Sequence, residues 1–571
     1  MRVLFLLPLA LCAQPSIQTE VRNGVVRAIV LHQSGDVVTD SSPAQPGEAL
    51  TIQGSGFSNA PQLLVAGQPA DSMPIDDGNL HFTLPADAGG GFLELAVVDG
   101  NAATLPVDAP ADANQLASAE VQSLVTTAAM ASDAPGLAIA VVDRAGNILA
   151  VYRRPGTTDD EVEKALAVAR TGAFFSNEGT PLSSRTVRAI SRVNFPEGVP
   201  NTMSGDLFGI ENTNRGCSFN VSYLPGHSYP RYLSVNGAYS RGIGTVPGGI
   251  PLFRNGTIVI GGIGVSGIDN FDLGPNNYGS LVFGSGNEYV AAAAAQAAGL
   301  FVKLPLPDPG AVYIAGFSLP YVVTAPTRAA PAAGGVFQIG PLNGSPAAEG
   351  WLVGPLSSAT LSVADVTQMV QNAIDSANRT RAAIRLLVGS WAKMVISVAD
   401  LDGNILGIYR MHDSTIFSID VALTKARNVV YFSGPNRDSR DLPGVPPLIA
   451  VTNRTIGFSS QTYFPSGISN TQPGPFADMY HADIDNPCTQ GHQPANANQS
   501  GIVFFPGSAP LYRNGVLVGG LGVSGDGVDQ DDFVTSRGAA GFEPPAAIRA
   551  DQVFIRGVRL PYAKFPRNPE Q

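Results

Sequence analysis

The chain has 571 residues, enough for three or four domains at about 150 residues each. Its net charge is −12 and only 14% of its residues are charged, against about 25% in ordinary soluble proteins, so it lacks the basic face that a nucleic-acid binder needs. With 64 glycines and 45 prolines it is rich in turns, yet 44% hydrophobic residues can fill several cores, which excludes an unstructured low-complexity chain.

Residues 1–13, MRVLFLLPLALCA, place one Arg before an apolar run that is too short to span a bilayer and suits the core of a signal peptide. The expected location is therefore secreted, periplasmic or on the cell surface. Leu11 precedes Cys12 where a lipid-anchor signal would have a small residue. No later segment reaches eighteen uninterrupted apolar residues, so no transmembrane span is expected. Beyond the leader only Cys217 and Cys488 remain. An exported protein permits a disulfide, and two readings stay open: the two pair with each other, or both stay free.

From residue 20 to 108 short apolar runs such as LTIQG, LLVAG and FLELAVVDG alternate with turn residues, the pattern of a small β-sandwich. Pro46, Gly47, Gly54, Gly56, Phe57, Val65 and Gly67 make this stretch resemble the IPT/TIG immunoglobulin-like family. The resemblance implies a spacing or adhesive role and no catalytic residue.

After a polar joint near 108–115 the chain repeats itself. IAVVDRAGNILAVYRR at 139 matches ISVADLDGNILGIYRM at 396, and 16 of 38 positions are identical at a constant offset of 257. The pairing resumes with NFPEGVPNT and YFPSGISNT, with PLFRNGTIVIGGIGVSG and PLYRNGVLVGGLGVSG, and with VYIAGFSLPY and VFIRGVRLPY. Residues 116–323 and 361–563 are thus two copies of one domain, joined by a Pro-, Ala- and Gly-rich linker over 324–360.

Each copy reads as a helix, then a hairpin turning at Asp143 to Asn147 or Asp400 to Asn404, then a helix of small residues, in which Ala165, Ala169 and Gly172 recur in the first copy. An insertion of about seventy residues follows. A second hairpin turns at Asn255-Gly256 or Asn514-Gly515, the dipeptide that favours a tight primed turn, and a last helix closes the unit. The fold class is α+β, with an all-β immunoglobulin-like sandwich in front.

The order of D-x-x-G-N-I-L, Tyr-Arg, an Ala-rich helix, Asn-Gly, G-G-(I/L)-G-V-S-G and Ala-Ala-Gly resembles the GlcG/HbpS-like family, related to the C-terminal domain of PduO proteins. The resemblance covers both copies. It implies antiparallel-sheet-plus-helices domains that oligomerise and bind haem or another tetrapyrrole, some acting in haem degradation or iron sensing. It also implies a His in or near the first helix, where these two copies offer only Met130 and Met369. The first copy departs from the pattern further, with Val168 where the second has Lys425 and with residues 273–286 inserted.

Candidate ligand-binding residues follow from the repeat. Gly264 and Ser266, like Gly522 and Ser524, sit on a glycine strand that either a ligand or a packed helix can approach closely. Arg153 and Arg410 end the first hairpin, and Arg170 and Arg427 lie on the next helix. In a chain this poor in cations they either grip a carboxylate or pair with nearby acids. His412 is the best-placed single haem ligand, with a solvent-facing turn residue as the other reading. The acids Asp269, Asp272, Asp526, Asp529, Asp531 and Asp532 follow GVSG without EF-hand spacing, and His481, Asp483, Asp485, Cys488 and His492 are answered in the first copy only by Cys217 and His227, so no metal site is assigned. No GxSxG elbow, phosphate loop, HExxH or CxxC occurs, so no catalytic residue is assigned.

The sequence thus points to an exported, non-enzymatic binder of a small anionic or tetrapyrrole-like ligand. It is built as an intramolecular pseudo-dimer with its pocket between the GVSG strand and the Arg-bearing hairpin. Haem is the one cofactor the resemblance offers. The alternatives are an enzyme of haem degradation or small-molecule oxidation, and a structural cell-surface interaction protein.

Overall fold

The computed structural model describes residues 14–570 except 23–24, 67, 197–198, 200, 214–216, 218, 222–241, 269–284, 304–311 and 323–333. The leader 1–13 and the candidates Asp269, Asp272 and His227 lie outside the described residues.

Residues 16–107 form a two-sheet sandwich, one sheet ordered around strand Ala49–Ser55 and the other around strands Gly91–Val97 and Ala102–Val107. Alternate residues of these strands point inward, and Leu50, Ile52, Phe57, Phe82, Leu95 and Leu105 fill the space between the sheets. The sandwich sits on the first copy, where Phe92 joins the apolar core and Ser345 Oγ, from the segment between the copies, donates to Gly90 O (3.1 Å).

The first copy contains α1 (Ser118–Met130), β1 (Ala138–Asp143), β2 (Ile148–Arg153), α2 (Asp159–Phe175), α3 (Ser184–Ala189), β3 (Gly249–Arg254), β4 (Ile258–Ser266) and α4 (Gly286–Ala297). Two strands from the segment between the copies come next, β5 (Val336–Ile339) and β6 (Gly350–Val353). The second copy contains α5 (Val363–Ala377), β7 (Met394–Ala399), β8 (Ile405–Arg410), α6 (Phe417–Ser433), α7 (Asn453–Ser459), β9 (Ser508–Arg513), β10 (Val516–Gly525) and α8 (Val528–Gly538). The sheets run β3-β4-β1-β2-β5 and β9-β10-β7-β8-β6, antiparallel throughout and in the same order.

The linker expectation for 324–360 needs correction. Its β5 completes the first sheet beside β2 and its β6 completes the second beside β8. Pro, Ala and Gly hid two edge strands whose backbone bonds come from a neighbour and not from local propensity.

Local chemistry explains the hairpins. Asp143 Oδ1 accepts from the backbone N–H of Ala145 (3.0 Å) and Asn147 (2.9 Å), and Asp400 does the same for Asp402 and Asn404 (2.9 Å each). Asn255 and Gly256 have φ of 55° and 77°, Asn514 and Gly515 of 52° and 79°, as a primed hairpin turn requires. The helices start on caps: Ser362 Oγ accepts from Asp365 N at α5 (3.2 Å) and Thr158 Oγ1 from Glu161 N at α2 (3.3 Å).

The two copies share one apolar core in which Phe174, Phe175 and Val265 of the first meet Ile416, Phe417, Val421 and Phe505 of the second. Phe175 stacks on Phe417 with ring centroids 4.0 Å apart, and Ile416 N donates to Phe174 O (2.9 Å). The long insertions also meet. Asn201 N donates to Ser469 Oγ (2.7 Å) and Ser469 N to Asn201 Oδ1 (3.2 Å), while Cys217 and Cys488 form a disulfide across 271 residues of sequence. Of the two open readings for these cysteines, the pairing one describes the structure.

Two outcomes follow. A Cβ at Gly522 would collide with the Ala422 carbonyl of α6, and Gly264 bears the same relation to Ala165 of α2. Gly522→Ala should therefore cost about 3 kcal/mol or more by urea unfolding, the range of severe overpacking. Reducing the disulfide should release two thiols from one 217/488 cross-linked peptide and lower stability by about 2–5 kcal/mol, because the unfolded chain regains a long loop.

Candidate functional site

The glycine strands β4 and β10 are covered by helix backbone. On β4, α2 lies against Gly262 and Gly264, and on β10, α6 lies against Gly520 and Gly522. The pocket expected between the GVSG strand and the Arg-bearing hairpin is therefore filled by a helix, which the missing side chains let in. Ser266 Oγ is bonded to the Glu161 carboxylate and Ser524 Oγ to Ser418 Oγ (3.1 Å), both on those helices.

The hairpin arginines are tied up in the same packing. Arg153 pairs with Asp159 (2.6 Å) and reaches Thr157 O. Buried Arg410 donates to Ser414 O (2.6 Å) and Ala348 O (3.0 Å) and sits 3.3 Å from Glu349. His412 is 76% exposed with Nδ1 2.9 Å from Glu349 Oε2, so it is a turn residue at the surface. Arg170 Nε donates to Gly146 O (3.3 Å).

Arg427 differs. Its Nε donates to Gly403 O (2.8 Å) and its Nη2 to Phe219 O of the first copy (2.7 Å), whereas Nη1 is buried without a hydrogen-bond partner. It lies in the wall of a cleft of about 490 Å³ formed by the β7–β8 turn, the C-terminal half of α6, residues 434–436 and residues 490–498. That volume is within the usual 300–1,000 Å³ or so of small-molecule sites. Burial pushes the guanidinium down to about 9, opposed by the nearby Asp400 carboxylate, so the cation is held at a cost that an incoming anion would relieve.

Tyr431, also on the wall, donates to Asp441 Oδ2 (2.5 Å), and Asp441 Oδ1 lies 2.6 Å from His492 Nδ1. Burial, reinforced by the bond to Asp441, pushes the phenol up, so Tyr431 stays a neutral donor. The 490–498 loop is fixed by side-chain bonds: Asn428 Nδ2 to Gln490 Oε1 (2.6 Å), Gln490 Nε2 to Gln493 Oε1 (2.9 Å) and Asn498 Nδ2 to Asp402 O (2.9 Å).

The first copy closes the corresponding place. Arg144 stands where the second copy has Leu401, one of the cleft residues, and its guanidinium donates to Ala173 O and to Ser176 O (3.0 Å). Sequence reasoning singled out Arg427, and His492 only as a metal-type residue left unassigned, but not Tyr431 or the cleft residues Gln490, Gln493, Asn496 and Asn498. The Arg144/Leu401 difference, visible at the repeat offset, was the available signal that the two copies diverge here.

Behind β10, buried Lys425 donates to Val523 O (2.8 Å) and to Asp531 Oδ2 (3.0 Å). Burial lowers the Lys425 ammonium and raises the Asp531 carboxyl, each offset by its partner. Arg454 binds Asp529 (2.6 Å) and Asp532, and Arg385 binds Asp526 (2.8 Å). The acids after GVSG in this copy thus serve protein cations. Cys488 is in the disulfide, Asp483 Oδ1 accepts from Ile502 N (3.1 Å), and among the described residues no group of three His, Cys, Asp or Glu could hold a metal.

The family model described as haem degrading protein HbpS-like matches residues 111–272 and 361–540, and the chain belongs to that family, with two copies of its domain. The IPT/TIG domain model matches residues 35–111. An uncharacterized 15.0 kDa protein from the dhaT-dhaS intergenic region of Citrobacter freundii is 28% identical over 138 residues, 24% of this chain and 68% of that protein. Among solved structures, the PduOC:heme complex is similar at 22% identity and TM-score 0.22 over 32% of this chain and 96% of its own. A double mutant of HbpS from Streptomyces reticuli is similar at 20% identity and TM-score 0.20 over 32% and 88%.

Haem requires an iron ligand, most often His, Cys, Met or Tyr. Met369 is buried in the core between α5 and the sheet, on the face opposite α6 and the cleft, and Met130 is 54% exposed. Tyr431 is committed to Asp441, and His492 is not part of the cleft lining. Among the described residues the cleft lining holds no free iron ligand.

The first copy carries Val168 and Asn287 where the second has Lys425 and Asp531. Asp531→Ala should cost about 3–5 kcal/mol by leaving a buried ammonium unpaired, while the double change Lys425→Val, Asp531→Asn should unfold within about 1 kcal/mol of the parent in urea.

Proposed function

We propose that this protein binds a small carboxylate-bearing ligand in the second copy, at Arg427, and that it works outside the cytoplasm as an intramolecular pseudo-dimer. The observation that carries the reading is the buried, unpartnered Nη1 of Arg427 in the cleft wall. A carboxylate brought onto that guanidinium gains a charge-assisted hydrogen bond. Family membership makes tetrapyrroles, with their propionate groups, the first ligands to try.

The disulfide between the insertions supports an oxidising compartment, as does the apolar leader. Among the described residues no helix is long and apolar enough to cross a membrane. The paired insertions and shared core support the pseudo-dimer.

Titration of the oxidised protein with haemin and with iron-free protoporphyrin tests the tetrapyrrole version. The cleft predicts similar affinity for both, since among the described residues its lining offers the iron no ligand, and a loss of at least tenfold in Arg427→Met with partial rescue by Arg427→Lys. Haemin binding far tighter than protoporphyrin and indifferent to Arg427 would overturn the site. Turnover of haemin in the presence of reductant would favour the enzyme alternative, and the absence of any carboxylate ligand the structural one.

A further inference from the structure

The chemistry of the cleft wall narrows the ligand. Around Arg427 stand an exposed carboxylate, Asp402, and two amide side chains, Asn436 and Gln493. Among the described residues the Asp402 carboxylate, the Asn436 amide and Gln493 Nε2 have no side-chain hydrogen-bond partner, whereas Gln493 Oε1 is held by Gln490. The wall thus presents a strong acceptor, two amide donors and one buried cation, on loops fixed in advance by the Asn428–Gln490 and Asn498–Asp402 bonds.

A flat apolar macrocycle would strip water from these groups and leave them unpaired, which costs affinity. Hydroxyl groups both donate and accept, so a polyhydroxylated molecule can satisfy all of them at once. The ring of Tyr431, whose phenol is turned to Asp441, offers an aromatic surface in the same wall. A neutral polyol would add no charge-assisted bond to the buried guanidinium, and a bare carboxylate would leave Asp402, Asn436 and Gln493 to water.

We infer that the second copy takes a sugar acid, a polyhydroxylated ring or chain with one carboxylate. Its carboxylate lies on Arg427 and its hydroxyls on Asp402, Asn436 and Gln493. The inference rests on the carboxylate reading of this cleft and specifies what surrounds the carboxylate. The first copy does not share the site, because Arg144 fills the equivalent place.

Isothermal titration calorimetry on the full-length oxidised protein tests it, with glucuronate, galacturonate and gluconate as probes and acetate, glucose and protoporphyrin as comparisons. At least one sugar acid should bind ten times or more tighter than acetate, and glucose should give no measurable heat. Asp402→Ala and Asn436→Ala, exposed changes that remove no bond of the fold, should each weaken the sugar acid fivefold or more and leave acetate unchanged. If acetate or protoporphyrin binds through Arg427 and every sugar acid binds no tighter than acetate, the sugar-acid inference fails and the carboxylate reading stands. If no carboxylate binds, both fail.

Discussion

Everything in the second copy depends on how closely α6 approaches β10. Gly520 and Gly522 remove the side chains that would hold the helix at ordinary distance, and the carbonyls of Ala426 and Ala422 occupy the space where those side chains would be. The helix is thereby pressed onto the sheet along its whole inner face, and all seventeen of its residues are buried. A helix seated this deeply carries even its polar residues inside. Lys425 must find Asp531, Asn428 must find Gln490, and Arg427 is delivered under the β7–β8 turn beside the cleft with two of its nitrogens bonded and the third buried without a hydrogen-bond partner.

The same constraint operates in the first copy, where α2 lies equally close to β4, yet the polar consequences differ. Val168 replaces the lysine and Asn287 the aspartate, so that copy has no such buried pair, and Arg144 plugs the place that Leu401 leaves open. Duplication with a shared core explains this division. Each copy buries apolar surface against the other, so both must keep the shell, but only one needs to keep an open site. The two copies share one apolar core, and their insertions are cross-linked at Cys217 and Cys488.

Much of the fold was legible because it is written in local chemistry. Asp143 and Asp400 cap their own turns, Asn-Gly fixes the second hairpins, and the offset of 257 ties the copies together. The edge strands β5 and β6 were not legible, since their bonds come from β2 and β8 and their composition reads as linker. The site was half legible. Arg153, Arg410 and Arg427 look alike in sequence, and only packing reveals that Ser414, Glu349 and Asp159 satisfy the first two while Arg427 keeps an unbonded nitrogen. Glycine strands admit either a ligand or a helix, and the choice is made by whichever element the chain returns to that face. The 490–498 loop belongs to an insertion, where periodicity carries no signal.

The central claim is that Arg427 is kept for an anion from outside the chain. Crystals of the oxidised protein soaked with a carboxylate ligand test it most directly. The account predicts density for the carboxylate in the cleft within hydrogen-bond distance of the Arg427 guanidinium, and nothing bound beside Arg144. A chain carboxylate or carbonyl found on Arg427 Nη1, or a ligand seated in the first copy instead, would contradict it.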